Sequence, residues 1–153
     1  MLVAIEKASI EHLDALYEIE MKCFETEAFT KQQIAYLLAD SNSVILVSKV
    51  KGEIVGFVIG KINLDRKPAT AHILTIDVSP EHRRKGTGRS LLQEIEKTFK
   101  HEGAEICCLE ARENNIEALS LYEKSGYERV GRLENYYPNV HGIRFRKDLT
   151  QLP

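Results

Sequence analysis

Apolar and polar positions follow two different periods along this chain, and the points where the period switches divide it into strands and helices. Val3–Ala8 alternates weakly, as a strand with one covered face does. From Ile10 to Cys23 the period lengthens: Leu13, Leu16, Tyr17, Ile19 and Met21 fall close to helical spacing. Ser9 stands at the N-cap with His12, not Glu or Gln, three residues on, so an incomplete capping box is expected. Ile34, Leu37 and Leu38 lay an apolar stripe along a second short helix, Lys31–Ala39, with Thr30 as its cap. The loop between these helices, Phe24–Phe29, carries two acids, Glu25 and Glu27, and two aromatics.

A β region follows. Ser43–Val50 and Ile54–Leu64 flank the turn Lys51-Gly52-Glu53, and Asp65–Pro68 leads into a third strand, Thr70–Ser79, that stops at Pro80. A three-stranded meander is the simplest arrangement. The helical period then returns at Leu91, Leu92, Ile95 and Phe99, predicting a helix from Gly88 to His101 that stops near Gly103. Glu105–Ala111 reads as a short strand, and Glu117–Lys124 as a helix with Ala118, Leu121 and Tyr122 on one face and Gly126 at its C-terminus. Tyr127–Tyr136 and Ile143–Leu149 complete the strands. The strand–helix–strand unit over Thr70–Ala111 requires a parallel pair with a right-handed crossover. The expected fold is a single mixed α/β domain over residues 1–153: a twisted mixed sheet of about seven strands flanked by about four helices.

Composition narrows the class. With 153 residues, 43% hydrophobic and 29% charged, the chain can bury a core without disulfides or metals, and disorder is disfavoured. A net charge of -2 argues against a dedicated nucleic-acid binder. Cys107 and Cys108 are strand neighbours on opposite faces and cannot pair with each other; with Cys23 they read as reduced thiols. The first residues lack a basic segment followed by an apolar run, and no stretch is apolar over a bilayer's width. A cytoplasmic protein without a membrane partner, monomeric or homodimeric, is expected.

The chemistry concentrates where the third strand of the meander hands over to the long helix, at Arg83-Arg84-Lys85-Gly86-Thr87-Gly88-Arg89. Glycine lets a main chain turn with positive φ and approach a ligand closely, and a helix start presents unpaired N–H groups and a positive dipole end. Together they form an anion site suited to phosphate. Neither the P-loop spacing nor the Rossmann fingerprint is present. The bland alternative is a glycine-containing helix start beside a basic surface run.

Arg83–Gly88 resembles the R/Q-x-x-G-x-G/A signature of the GNAT superfamily of N-acetyltransferases, in the strand–turn–helix setting that family uses. A second stretch, Leu109 to Tyr127, resembles the LEVRxxNxxAxxLYxxxGF run of the RimI-like branch, and Asn135-Tyr136-Tyr137-Pro138 resembles its NYYP segment. The resemblance implies acetyl-CoA as cofactor, without metal, and transfer of the acetyl group to the N-terminal α-amine of proteins or peptides, ribosomal proteins among them. It implies that the backbone of Ile76, Asp77 and Val78 pairs with the pantetheine arm. Arg84, Lys85, Gly86, Thr87, Gly88 and Arg89 would hold the pyrophosphate, with Asn115 touching the coenzyme. Glu110 would act through water as general base and Tyr122 as general acid, with His72 a second base. Glu25, Phe29, Tyr136 and Tyr137 would meet the acceptor.

Each assignment has a plainer alternative: a solvated strand-end charge for Glu110, a core aromatic for Tyr122, a helix cap for Asn115, an ordinary polar residue for His72. The tail Asn139–Phe145 departs from the branch, because it lacks the acidic stretch after the paired tyrosines and carries Arg144 and Arg146 nearby. Two other functions stay open on the same fold, acetylation of a small amine or lysine side chain, and acyl-CoA binding without turnover.

Overall fold

The seven strands pair in the order β1-β2-β3-β4-β5-β7-β6, in a computed structural model that describes residues 3–24 and 27–153. They are β1 (Val3–Lys7), β2 (Ser43–Val50), β3 (Glu53–Asn63), β4 (Thr70–Val78), β5 (Ile106–Arg112), β6 (Glu128–Tyr137) and β7 (Val140–Asp148). Every neighbouring pair is antiparallel except β4 and β5, which run parallel around the long crossover helix α3 (Thr87–Glu102). The expected meander is β2-β3-β4, and the expected parallel pair is present.

The remaining helices are α1 (Leu13–Cys23), α2 (Lys31–Ala39) and α4 (Ile116–Lys124). α1 and α2 cover one face of the sheet, burying Leu16, Ile19, Ile34 and Leu37 against Ile45, Val47, Phe57 and Ile59. α3 and α4 cover the other, where Leu91, Leu92, Ile95 and Phe99 pack on Val58, Ile73, Leu109 and Phe145. Alternation along β2, β3 and β4 feeds both layers, as expected for strands covered on two sides. Gly60 permits the closest approach: a Cβ there would lie 2.4 Å from the ring of Phe99.

Two local details differ from the sequence reading. Ser9 N–H donates to His12 Nδ1 at 3.0 Å, so an imidazole supplies the reciprocal bond that Glu or Gln would otherwise make, and the first turn, Ile10–His12, is a tight 3₁₀ turn. The last two strands also meet sooner than expected. Tyr137 pairs with Val140 across a two-residue turn, with Asn139 in the left-handed region at φ 61°. Asn tolerates that region better than other side chains do. Tyr127 precedes β6 and is buried under α3.

The parallel pair positions the site. β4 and β5 share a register of only three residues, ending at His72 opposite Cys108. Beyond it Ile73–Val78 pair with β3 alone, so one edge of β4 has no ladder partner. The sheet therefore opens in its centre.

Candidate functional site

At the far end of the opening, β4 gives way to Pro80–His82, a single turn, and then to the start of α3. Gly86 caps α3 with φ 82°, and nothing lies within 4 Å of where its Cβ would be. The first bond into the helix runs from Ser90 N–H to Gly86 O at 3.0 Å, leaving the amides of Gly86, Thr87, Gly88 and Arg89 without an intrahelical acceptor. These amides open on a cavity of about 690 Å³ lined by Ile76 and Val78 of β4, by Arg83, Arg84 and Arg89, and by Asn115, Leu121 and Tyr122 from the α4 side. Arg83 is anchored: its Nε donates to Val78 O at 3.0 Å and its Nη2 lies 3.3 Å from Cys23 Sγ. Asn115 caps α4, accepting from Ala118 N–H at 3.1 Å. Main-chain donors, cationic side chains and an apolar wall thus meet in one cleft, a donor set that fits a diphosphate on an apolar-walled arm.

Across the sheet from that cavity lies a second cluster. Register places Glu110 beside Arg144, and His72 beside Cys108, on the face shared with α1 and α2. His72 Nε2 and Glu110 Oε1 are 2.6 Å apart, and Arg144 Nε donates to Glu110 Oε2 at 3.2 Å. Burial alone would raise the Glu110 pKa, but hydrogen bonds and charge from His72 and Arg144 outweigh it and hold the carboxyl below its ordinary value. The Glu110 side chain is 8% exposed and that of His72 43%, so solvent reaches the pair through the imidazole. Tyr136 and Tyr137 meet edge to face with centroids 4.9 Å apart, and the Tyr137 ring carries the Arg112 guanidinium at 4.9 Å. Arg112 also pairs with Glu27, joining the α1–α2 loop to the end of β5. Burial, then Tyr136 and Glu110, push the Tyr137 hydroxyl up to about 12.

The sequence of the Acetyltransferase (GNAT) family matches residues 13–127. The chain belongs to that family. It is 35% identical over 109 residues to an N-alpha-acetyltransferase of Sulfurisphaera tokodaii, with 65% of each chain aligned. To the [ribosomal protein bS18]-alanine N-acetyltransferase of Escherichia coli it is 33% identical over 91 residues, 60% of this chain and 59% of that one. The chain therefore aligns with less than two thirds of the length of these curated relatives. Among solved structures, the Escherichia coli ribosomal-protein-S18-alanine N-acetyltransferase superposes with a TM-score of 0.87 at 24% identity, covering 97% and 94% of the two chains. The PaiA N-acetyltransferase of Thermoplasma acidophilum, solved with coenzyme A, superposes with a TM-score of 0.80 at 23% identity over 97% and 99%.

Most residues expected at a GNAT site gather in these two clusters. Ile76, Val78, Arg84, Gly86, Thr87, Gly88, Arg89, Asn115 and Tyr122 line the cavity. Glu110, His72, Tyr136 and Tyr137 meet on the other face. Three fall elsewhere. The Asp77 side chain turns away from the cavity, as strand alternation requires, and is buried beneath α1, while its backbone stays on the edge of β4 that has no β5 partner. Lys85 stands exposed at the tip of the turn, outside the lining set. Phe29 packs into the core under α1 and α2, its amide donating to Glu20 Oε2 at 2.9 Å. Glu25 lies outside the described residues. Arg84 carries a second partner, Glu117, 3.0 Å away on α4.

Sequence reasoning passed over Arg112, and named Arg83 and Arg144 without their partners. Arg83 precedes the glycine-bearing turn and ties it to β4; Arg112 bridges both loops; Arg144 neutralises Glu110. Only the register of β5 with β7 would have disclosed the last, since Glu110 and Arg144 are cross-strand partners.

Proposed function

We propose that this GNAT protein transfers the acetyl group of acetyl-CoA to the N-terminal α-amine of a protein or peptide. One observation carries the reading: a single opening between β4 and β5 has an anion-ready helix start on one side and the Glu110–His72 pair on the other. Names of the sequence relatives, N-alpha-acetyltransferase and ribosomal-protein alanine N-acetyltransferase, support the choice of acceptor.

Acetyl-CoA, when bound, supplies an activated acetyl thioester. The amides of Gly86–Arg89, with Arg83, Arg84 and Arg89, hold the diphosphate, and the unpaired edge of β4 at Ile76 and Val78 aligns the pantetheine arm. An N-terminal ammonium must lose a proton before its nitrogen can attack. His72, with one ring nitrogen bonded to a carboxylate that stays ionised, accepts that proton, and Glu110 balances the imidazolium. Tyr122 stands in the cavity wall with its hydroxyl pushed above the usual phenol range, first by burial and then by Tyr137, Asp77 and Cys107. It therefore keeps its proton at neutral pH, and as general acid it hydrogen-bonds the departing thiolate through that proton. Tyr136, half exposed next to Glu110, and Tyr137 wall the acceptor's path.

A peptide-library acetylation assay read by mass spectrometry tests this directly. Acetylation is expected on α-amines, with lysine side chains and free small amines modified far more slowly. Saturable acetyl-CoA binding without acetylation of any α-amine would overturn the reading.

A further inference from the structure

The chemistry above leaves two acids unused, and both are almost completely buried. Glu20 of α1 and Asp77 of β4 are each 1% exposed, the only carboxyls besides Glu96 so deeply enclosed among the described residues. Glu96 has a lysine partner; these two face each other where α1 meets β4, the contact at which Cys23 Sγ also lies 3.5 Å from Val78 O. Glu20 Oε2 accepts the amide of Phe29 at 2.9 Å, and Asp77 Oδ1 accepts the hydroxyl of Thr75 at 2.5 Å. The remaining oxygens, Glu20 Oε1 and Asp77 Oδ2, have no donor. Two buried acceptors without a donor are costly, and one proton between them removes the deficit.

We infer that Glu20 and Asp77 share a single proton, and that this acid pair is a positioning device tying the α1–α2 loop, which Arg112 joins to the acceptor wall at Tyr137, to the coenzyme strand β4. Its location gives it leverage. One end grips the chain just before α2, where the Phe24–Phe29 loop rejoins the core, and the other sits between Ile76 and Val78 on β4. The surrounding charges are few. Arg83 lies close enough to favour ionisation of Asp77, while Cys23 and Tyr122 both feel the Asp77 charge. None of these supplies a hydrogen bond to the two orphaned oxygens.

The pH sense follows from where the proton resides. Burial, then the hydrogen bond and charge of Glu20, raise Asp77 well above its ordinary value of 3.8. A folded pKa above the unfolded one gives stability that is complete below the unfolded value and lost as pH rises through the folded value. Alkaline pH therefore strips the shared proton, sets two carboxylates against each other and slackens the grip on the Phe29 amide.

The experiment uses Glu20→Gln and Glu20→Leu beside the wild type. Gln keeps an acceptor for Phe29 and a donor for Asp77 without any shared proton. In infrared difference spectra at neutral pH, the wild type is expected to show a protonated-carboxyl band that Glu20→Gln lacks. Steady-state kinetics with a peptide bearing a free α-amine, which rest on the function proposed above, should show Glu20→Leu raising acceptor KM by about tenfold or more while kcat stays within about twofold. Glu20→Gln should keep wild-type KM at neutral pH and lose the wild type's extra rise in KM at alkaline pH. A wild type without the protonated band would overturn the shared proton whatever the enzyme acetylates, and unchanged acceptor KM in Glu20→Leu would overturn the positioning role. Absence of peptide turnover in the wild type would strike the functional reading and leave the spectroscopic arm intact.

Discussion

His72 Nε2 touches Glu110 Oε1 at 2.6 Å just where the parallel pair comes apart: His72 is the last β4 residue in register with β5, and Glu110 lies two residues past its partner. The side chains thus bridge a gap that the backbones have ceased to span. The pair held there faces the opening and stays fixed by both strands.

Because each residue orients the other, their effects on turnover should overlap. Glu110→Gln and His72→Ala are each expected to lower kcat by roughly 10²–10⁴-fold, and the double variant by little more than the worse single one. Acetyl-CoA affinity by calorimetry should stay unchanged in all three. Stability carries a sign as well. The folded Glu110 pKa lies below the ordinary 4.5, so its contribution is present above that value and fades as pH falls through the lowered one. Urea denaturation at stepped pH should show the wild type losing more stability than Glu110→Gln on going below about pH 4.5. Additive kinetic losses would mean that the two groups act separately.

Gly88 offers a test in which two side chains at one position separate stability from binding. It is the second residue of α3, has no positive φ, and an added Cβ would meet only Leu121 and Val78 at ordinary contact distances of 3.7 and 3.8 Å. Gly88→Ala should therefore leave the fold intact, raising stability by up to about 0.5–1 kcal/mol through helix propensity. The signature admits Ala here, so this variant should keep wild-type acetyl-CoA affinity. Gly88→Glu sets a carboxylate beside amides that line the cavity, and acetyl-CoA Kd is expected to rise at least about tenfold as two anions compete for one site. Unaltered Kd in Gly88→Glu would place the diphosphate elsewhere.

How much of this could be read from residues alone depended on the range of the interaction. The elements came through well because each announces itself locally: the 3.6-residue spacing of Leu91, Leu92, Ile95 and Phe99, the glycine at position 103, the Lys51–Glu53 turn. The glycine-bearing turn before α3 was legible for the same reason, being one contiguous stretch. What escaped was side-chain direction and long-range pairing. Asp77 looked equivalent to Ile76 and Val78 until the sheet's two-sided burial sent it beneath α1. Arg144 stands out in the sequence only as part of a tail that departs from the branch, and the β5–β7 register makes it the partner of Glu110. Tyr127 seemed the first residue of a strand, yet its hydroxyl closes a buried network with Glu96, 31 residues away.

That network gives a purely structural prediction. Glu96, 2% exposed on α3, accepts from Tyr127 at 2.8 Å and from Lys147 Nζ at 2.9 Å, while the same ammonium donates to Ser125 O at 2.7 Å. Cys107 sits 3.2 Å from the Tyr127 hydroxyl, its thiol pushed up to about 12 chiefly by burial, and so adds no competing charge. Lys147→Met keeps the aliphatic stem and removes the cation, leaving a buried carboxylate with one donor. Breaking such a pair from one side typically costs about 3–5 kcal/mol, or roughly 10 °C in Tm for a chain of this size. Removing both charges, in Lys147→Met with Glu96→Leu, should recover most of the loss, because apolar replacements of buried pairs are often neutral. Below their melting temperatures both variants should keep wild-type acetyl-CoA affinity, since neither residue lines the cavity at the start of α3. Calorimetric melting of the three proteins decides it: a double variant as unstable as the single one would show that the pair stabilises the fold through packing and not by cancelling charge.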